Sequence, residues 1–261
     1  EYFNGALQRN IPGAFKRLQD EGHIEIITCA ATHGYLPLLG EDTAVQAQIK
    51  LGVETYRKHY GREPRGIWLP ECAYRPAYEW TPPVEGFGGS RHRKGVEEFL
   101  SENGIRYFII DTPLLKGGKS AGVYLDRFNA LKQLWKNFEN QYRPEEEDAE
   151  KTPHKLYYVS SVEGKNPVAF FTRDQDTGVQ VWSGEHGYPG DGNYLDFHKK
   201  HFPGGHRYWR VTSAKSDLAD KQLYDPENVQ ARILENALHF KNLVRDICLG
   251  EGITEGKPPM V

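Results

Sequence analysis

The sequence predicts an α/β fold in which parallel strands alternate with helices. Short apolar runs rich in β-branched and aromatic residues are separated by longer segments with helical periodicity. These runs are nearly continuous rather than alternating in polarity, which is typical of strands buried on both faces of a parallel sheet. Strand–helix repetition of this kind favours right-handed crossovers between neighbouring parallel strands.

The predicted elements are, in chain order, helix 11–21, strand 23–30, helix 42–60, strand 66–70, helix 95–102, strand 105–110, strand 168–172 and a closing helix at about 226–249. Asp42 and Thr43 are the candidates for the N-cap of the second helix. The segment 79–93 is predicted to be a polar loop. The segment 126–155 is highly charged and predicts an exposed insertion.

Composition excludes several classes of function. The net charge of −3 over 261 residues provides no electrostatic footprint for nucleic acid or an anionic membrane surface. No apolar run approaches the ~20 residues that a membrane span needs. Three widely spaced cysteines favour reduced thiols, and hence a cytoplasmic location, over disulfides. The chain starts at Glu1 and its single methionine is Met260, so we expect a part of a longer protein.

Polar side chains follow four of the predicted strands. His33 follows the first, Glu71 the second, Asp111 the third and Asp174 the fourth. In α/β barrels catalytic groups lie at the carboxyl ends of strands, so these ends indicate one shared mouth. Each residue also has a structural interpretation: Asp174 favours a helix N-cap, Asp111 favours a turn, and His33 is open between ligand contact and a structural role.

The segment 66–76 carries the strongest chemical pattern. An apolar run ends at Glu71 and is followed by Tyr74 and Arg75. Trp68 and Tyr74 offer flat apolar faces on which a sugar ring can stack. A nearby arginine favours the ionised form of a carboxyl, so Arg75 is expected to keep Glu71 charged, as a carboxylate nucleophile requires. The alternative is a strand end with a solvated or salt-bridged glutamate.

Other chemistries have weaker support. The sequence contains no Gly-x-Ser-x-Gly motif and no glycine-rich phosphate loop with a lysine. His198 and His201 have a spacing that can hold a metal, but the lysines between them favour a solvated face. Metal-dependent hydrolysis is therefore the runner-up chemistry rather than the favoured one.

The segments 25–39 and 66–76 resemble two sequence blocks of glycoside hydrolase family 57, and are most similar to its 1,4-α-glucan branching enzymes. The blocks 179–191 and 208–211 resemble the same branch. The resemblance implies a distorted TIM-like barrel of (β/α)7 type, incomplete in this chain, with residues 1–261 forming part of one catalytic domain. It also implies action on α-glucans with retention of configuration, and no metal or organic cofactor.

Transferred residue by residue, the resemblance implies that Glu71 is the nucleophile and that His33 contacts the sugar at the cleavage point. Trp182 is similar to a stacking residue, and Trp68 and Asp111 complete our set of candidate substrate-binding residues. The family's acid/base aspartate belongs to a later block, which would follow residue 261. Because a retaining glycosidase needs both carboxyls, we expect this chain alone to have little activity.

Three alternatives remain open. An α-amylase or a 4-α-glucanotransferase uses the same scaffold with a different outcome. A non-catalytic glucan-binding relative would keep the blocks without the chemistry. A metal-dependent, deacetylase-like barrel is the third alternative.

Overall fold

The computed structural model describes residues 1–82, 84, 86, 88–117, 150–159, 167–213 and 215–251. The chain divides into two compact units, one formed by residues 1–115 and 155–172 and the other by residues 116–154 and 173–261. Most of the predicted insertion at 126–155 lies outside the described residues. The helices of the described residues all fall short, in length or in apolar character, of what a membrane span requires.

The first unit has the predicted α/β character. Its elements, in chain order, are α1 (Ile11–Asp20), β1 (Thr28–Cys29), α2 (Asp42–Tyr60), β2 (Gly66–Trp68), β3 (Tyr78–Trp80), β4 (Arg91–Arg93), α3 (Val96–Glu102), β5 (Tyr107–Asp111), α4 (Thr112–Lys116), β6 (Tyr157–Tyr158) and β7 (Ala169–Arg173). The last residue of α4 and the last residue of β7 belong to the second unit.

A five-stranded sheet in the order β1-β2-β5-β7-β6 organises this unit. The pairs β1/β2 and β2/β5 are parallel, and β6/β7 is antiparallel. Helix α2 connects β1 to β2 and helix α3 connects β2 to β5, so the predicted strand–helix–strand units are confirmed for these elements. The carboxyl ends of β1, β2 and β5 therefore share one edge of the sheet.

The core lies between the sheet and its helices. Helices α2 and α3 and strands β2 and β5 contribute many of its fully buried members, among them Val45, Ile49, Ile67, Leu100 and Phe108. A row of aromatic rings continues across the sheet. In this row Phe108 stacks on Tyr74 at 5.4 Å and contacts Phe170 at 5.9 Å, and Phe170 stacks on Tyr157 at 5.6 Å.

Three local predictions were wrong. Strand β1 has two residues rather than the predicted eight, because residues 23–27 and residue 30 do not form strand structure. The segment 79–93 is not a plain loop, because it contains the antiparallel pair β3 and β4, in which Trp80 lies opposite Arg91. The N-cap of α2 is Glu41, whereas Asp42 lies in the first turn and binds a distant arginine.

The second unit contains α5 (Gln175–Trp182) and α6 (Gln230–Gly250). Asp174 caps α5 by accepting a hydrogen bond from the Thr177 backbone N–H at 2.8 Å, so the predicted capping role is confirmed. The loop after α5 is fastened to α6 by the Asp191–Arg232 ion pair at 2.6 Å.

Candidate active site

Glu71 is the exposed member of a buried segment. Its neighbours Leu69, Pro70, Cys72 and Ala73 are buried, whereas the side chain of Glu71 is 71% exposed. The backbone of Glu71 is left-handed, with φ 59° and ψ 27°, and Cys72 follows with φ 53°. Left-handed backbone is unfavourable for residues with a Cβ, and such strain clusters at functional sites. The tight turn after β2 thus holds the carboxylate outward at the carboxyl end of the strand.

His33 is brought to Glu71 by the turn that follows β1. Its backbone N–H donates to the Ala30 carbonyl at 3.0 Å, and its φ is 56°. Gln48 of α2 fastens this turn, accepting from the Thr32 N–H at 2.9 Å and donating to the Thr32 hydroxyl at 2.7 Å. The result is a contact of 3.2 Å between His33 Nε2 and Glu71 Oε1. Two residues 38 positions apart therefore meet because β1 and β2 are adjacent and parallel.

A cysteine completes this group, and sequence reasoning did not predict it. Cys29 is the last residue of β1, and its Sγ lies 3.3 Å from His33 Nδ1. Partial burial raises the pKa of the Cys29 thiol, an effect that a hydrogen bond from the Ala30 backbone only partly offsets. The sequence signal was the spacing of four residues between Cys29 and His33 across a strand end.

The prediction that Arg75 keeps Glu71 ionised is wrong. Arg75 is buried, and its Nη1 donates to the Lys94 carbonyl at 2.6 Å. Its nearest carboxylate is Asp42, with Nη2 and Oδ1 3.7 Å apart. Burial and the positive charge of Arg93 lower the pKa of Arg75. Arg75 therefore anchors the segment after the Glu71 turn to the β4–α3 connection, because its side chain points into the unit rather than toward the exposed carboxylate.

Asp42 is the carboxylate that organises these arginines. The Arg93 guanidinium is almost completely buried, and its Nε donates to Asp42 Oδ1 at 2.7 Å. Burial alone would raise the pKa of Asp42, but the hydrogen bonds from Arg93 and the Lys94 backbone outweigh it and lower the pKa. The start of α2 is thereby tied to β4 beneath the site.

Tyr74 packs one face of its half-buried ring against the core. Its ring stacks on Phe108, and its hydroxyl donates to Glu97 Oε2 at 2.9 Å. Burial and the negative charge of Glu97 raise the pKa of Tyr74. The adjacent core accepts its ring, so Tyr74 is a structural residue of the β2–β5 region.

The other predicted binding residues lie in different places. Trp68 is half-buried at the end of β2, where it is in register with Cys29. Asp111 is half-buried at the end of β5, on the sheet edge that also carries Glu71 and His33. Trp182 belongs to the second unit, where it ends α5 and is 69% exposed.

A cavity of about 650 Å³ lies elsewhere in the first unit, at the amino ends of β1 and β2. Its charged lining residues are held in ion pairs: Arg65 binds Glu25 of the same lining at 2.5 Å, and Arg62 binds Asp20, outside the lining, at 3.0 Å. Substrates of α/β folds bind at the carboxyl ends of strands, so we assign the site to the edge that carries Glu71.

No metal-binding group of three or more His, Cys, Asp or Glu side chains occurs in the part of the chain that the structure describes. His201, one of the two histidines with metal-ligand spacing, packs its ring edge against Tyr208 at 6.0 Å.

Comparison with known proteins adds three findings. The sequence model of Glycosyl hydrolase family 57 matches residues 1–219. The chain is 46% identical, over 240 residues, to a 1,4-alpha-glucan branching enzyme of Thermococcus kodakarensis, covering 92% of this chain and 32% of that protein. The chain spans about a third of the length of the curated relatives it matches.

Solved structures with the same fold include family 57 enzymes. A branching enzyme of Pyrococcus horikoshii superposes with a TM-score of 0.73 at 41% identity, covering 98% of this chain and 41% of that chain. The alpha-amylase AmyC of Thermotoga maritima gives a TM-score of 0.58 at 26% identity, covering 98% of this chain and 44% of that chain.

Proposed function

Because this chain belongs to glycosyl hydrolase family 57, we propose that it supplies the nucleophile of a retaining 1,4-α-glucan branching enzyme. The observation that carries the proposal is the Glu71 carboxylate, held outward on a strained turn and contacted by His33. The resemblance to branching enzymes at 46% and 41% identity supports the formation of branches over the other reactions of family 57.

Glu71 begins the reaction as a carboxylate. One of its oxygens attacks the anomeric carbon of an α-1,4-linked glucose, and the bond from that carbon to the O4 leaving group breaks. The product is a glycosyl ester of Glu71, and O4 takes a proton from the acid/base residue. Exposure of Glu71 at the sheet edge gives a long polysaccharide access to the carboxylate.

An acceptor chain completes the transfer. Its 6-hydroxyl attacks the same anomeric carbon, the ester bond breaks, and the acid/base residue takes the hydroxyl proton. This step regenerates the Glu71 carboxylate and forms an α-1,6 branch. A retaining enzyme needs its acid/base about 5–5.5 Å from the nucleophile, and we propose that the family's later aspartate block supplies it.

The remaining residues take binding roles in this proposal. His33 contacts the sugar at the cleavage point beside Glu71, and Asp111 faces the same strand edge. Trp68 and Trp182 provide apolar surface for glucose rings, as amylose, glycogen or a starch-like glucan presents them. We propose further that the described strands belong to a (β/α)7 barrel formed by one catalytic domain.

The test is Glu71→Gln in the complete gene product. We expect branching turnover on amylose to fall by several orders of magnitude while glucan binding persists, because the amide keeps the shape but is not a nucleophile. Glu79→Gln is the matched control: Glu79 is 70% exposed and lies 3.1 Å from His92, as Glu71 lies beside His33. Retained turnover in Glu71→Gln would remove Glu71 from the nucleophile role.

Product analysis distinguishes the related outcomes. New α-1,6 linkages are expected for a branching enzyme, whereas shorter or rearranged α-1,4 chains alone would indicate an amylase or a 4-α-glucanotransferase. The structural likeness to AmyC makes this comparison necessary. Glucan binding without turnover in the wild-type gene product would indicate a non-catalytic relative.

A cytoplasmic location agrees with the state of the cysteines. Cys29, Cys72 and Cys248 take part in no disulfide bond among the residues that the structure describes. Reduced thiols persist in the cytoplasm, where the glucan donor and acceptor of the proposed reaction would also be found.

A further inference from the structure

Three side chains form a continuous hydrogen-bonded row at the proposed site. Cys29 Sγ lies 3.3 Å from His33 Nδ1, and His33 Nε2 lies 3.2 Å from Glu71 Oε1. Both imidazole nitrogens are therefore occupied, one by a thiol from the same turn and the other by the carboxylate. No described residue hydrogen-bonds the second carboxylate oxygen of Glu71, Oε2.

We propose that Cys29 is a positioning residue that reinforces, from the Nδ1 side, the tautomer of His33 in which the Nε2–H group donates a hydrogen bond to Glu71. The proposal rests on the proposed function, in which Glu71 reacts as a carboxylate. An ionised carboxylate only accepts hydrogen bonds, so the nitrogen that faces it must be the donor. In a neutral imidazole the other nitrogen is then an acceptor, and Nδ1 requires a donor beside it.

The thiol of Cys29 is suited to be that donor. A cysteine hydrogen serves as a weak donor only while the thiol is protonated. Partial burial raises the pKa of Cys29, so the protonated thiol is the form present at neutral pH. A thiolate facing an imidazolium would need the opposite shift. The row therefore runs from the sulfur proton to Nδ1 and from the Nε2 proton to Glu71 Oε1.

The backbone around Cys29 is rigidly placed, as a positioning role requires. Cys29 pairs with Trp68 in the parallel β1/β2 ladder. Helix α2 lies so close that a Cβ on Gly52 would be 2.1 Å from the Cys29 carbonyl oxygen. The hydroxyl of Thr28 donates to the Gly52 carbonyl at 3.0 Å and ties the strand to the helix.

The consequence for the reaction concerns orientation. With Oε1 bound to His33, Oε2 is the oxygen left to attack the anomeric carbon. In the other tautomer the lone pair of Nε2 would face the carboxylate, and repulsion would turn Glu71 away from its attacking position. Cys29 touches neither sugar nor carboxylate, so its effect should appear in kcat rather than in glucan binding.

The tautomer is measured directly by nitrogen NMR of ¹⁵N-histidine-labelled protein. We expect wild-type His33 to show a protonated Nε2 and an unprotonated Nδ1 at neutral pH. Cys29→Ala should lower the share of the Nε2-protonated tautomer and give a mixture, whereas Cys29→Ser, which keeps a hydroxyl donor, should retain the wild-type pattern. Cys248→Ala in the second unit is the matched control and should leave the His33 signals unchanged.

Kinetics of the complete gene product provide the second measurement. We expect Cys29→Ala to lower kcat about threefold to tenfold, the scale of one hydrogen bond, with KM changed less than about twofold. Cys29→Ser should restore most of kcat.

Two results would overturn the role of Cys29. One is a nitrogen NMR spectrum of the wild-type protein in which Nδ1 of His33 carries the proton; this measurement requires no variant. The other is a folded Cys29→Ala protein with the wild-type tautomer. Wild-type protein without glucan transfer would instead refute the proposed function, so the two failures are distinguishable.

Discussion

Gly52 lies in the interior of α2, at the point where this helix approaches β1. A Cβ at this position would meet the Cys29 carbonyl oxygen at 2.1 Å and the carbonyl carbon at 3.3 Å. Both neighbours are backbone atoms of a strand, so neither can rotate away as a flexible side chain would. The substitution Gly52→Ala therefore tests whether the close contact between α2 and β1 holds the strand end that carries the site.

The expected change in the free energy of unfolding combines one stabilising effect and two destabilising effects. Alanine favours a helix interior over glycine by about 1 kcal/mol. Against this, the helix must move until the 2.1 Å approach opens to at least 3.0 Å, and overpacking of this kind costs about 1–3 kcal/mol. The same movement weakens the Thr28–Gly52 hydrogen bond, which contributes about 1 kcal/mol. We expect a net loss of about 2 kcal/mol in the free energy of unfolding.

Urea unfolding measures this loss, and hydrogen exchange read by mass spectrometry locates it. Faster exchange is expected in peptides from residues 26–33 and 42–60. Gly178→Ala is the matched control, because Gly178 lies inside α5 and an alanine methyl group there would meet no atom within 4 Å apart from its chain neighbours and the backbone of its own helix. Alanine at this position should stabilise the protein by up to about 1 kcal/mol. A Gly52→Ala protein at least as stable as the wild type would refute the reasoning.

Three further predictions concern the surroundings of the site. Asp42→Asn should cost about 2–3 kcal/mol at pH 7, less than a fully buried pair because a third of the Asp42 side chain is exposed. The folded-state pKa of Asp42 is lowered, so its contribution is present above about pH 4 and is lost as pH falls through the lowered value; urea unfolding against pH should show the two proteins converging in acid. Gln48→Ala removes both hydrogen bonds to Thr32 and should cost about 1–2 kcal/mol while lowering kcat; equal kcat would show that the turn holds its shape without them. Glu71→Asn should abolish turnover yet raise the free energy of unfolding by about 0.5–1 kcal/mol, because asparagine tolerates left-handed backbone; a lower melting temperature would argue against strain at this turn.

Much of the first unit could be predicted from local pattern. Helix α2 and strand β2 have continuous patterns and clear boundaries, such as the left-handed Gly61 that ends α2. The β3/β4 pair was missed, because its sequence contains polar residues that resemble a loop and its strands are only three residues long.

The predicted places of His33 and Glu71 at strand ends agree with the structure, whereas the predicted partner of Arg75 does not. The sequence placed His33 and Glu71 at neighbouring strand ends, and the structure brings them within 3.2 Å of each other. The sequence analysis wrongly paired Arg75 with Glu71. The two residues are close along the chain, but Arg75 is buried and bonded to the Lys94 carbonyl, whereas Glu71 is exposed. Cys29 was noted only as a reduced thiol, since nothing in its local pattern shows which imidazole nitrogen it meets.

The sequence by itself determined helices α2 and α3 and strands β2 and β5, and that a carboxylate and a histidine follow two of the strands. Local periodicity and turn residues encode these features, because they depend on neighbours along the chain. The tertiary structure alone decided that Asp42 binds Arg93, that Tyr74 enters the core and that Cys29 reaches His33. These contacts depend on how β1, β2 and α2 pack, and packing joins residues that no local pattern relates.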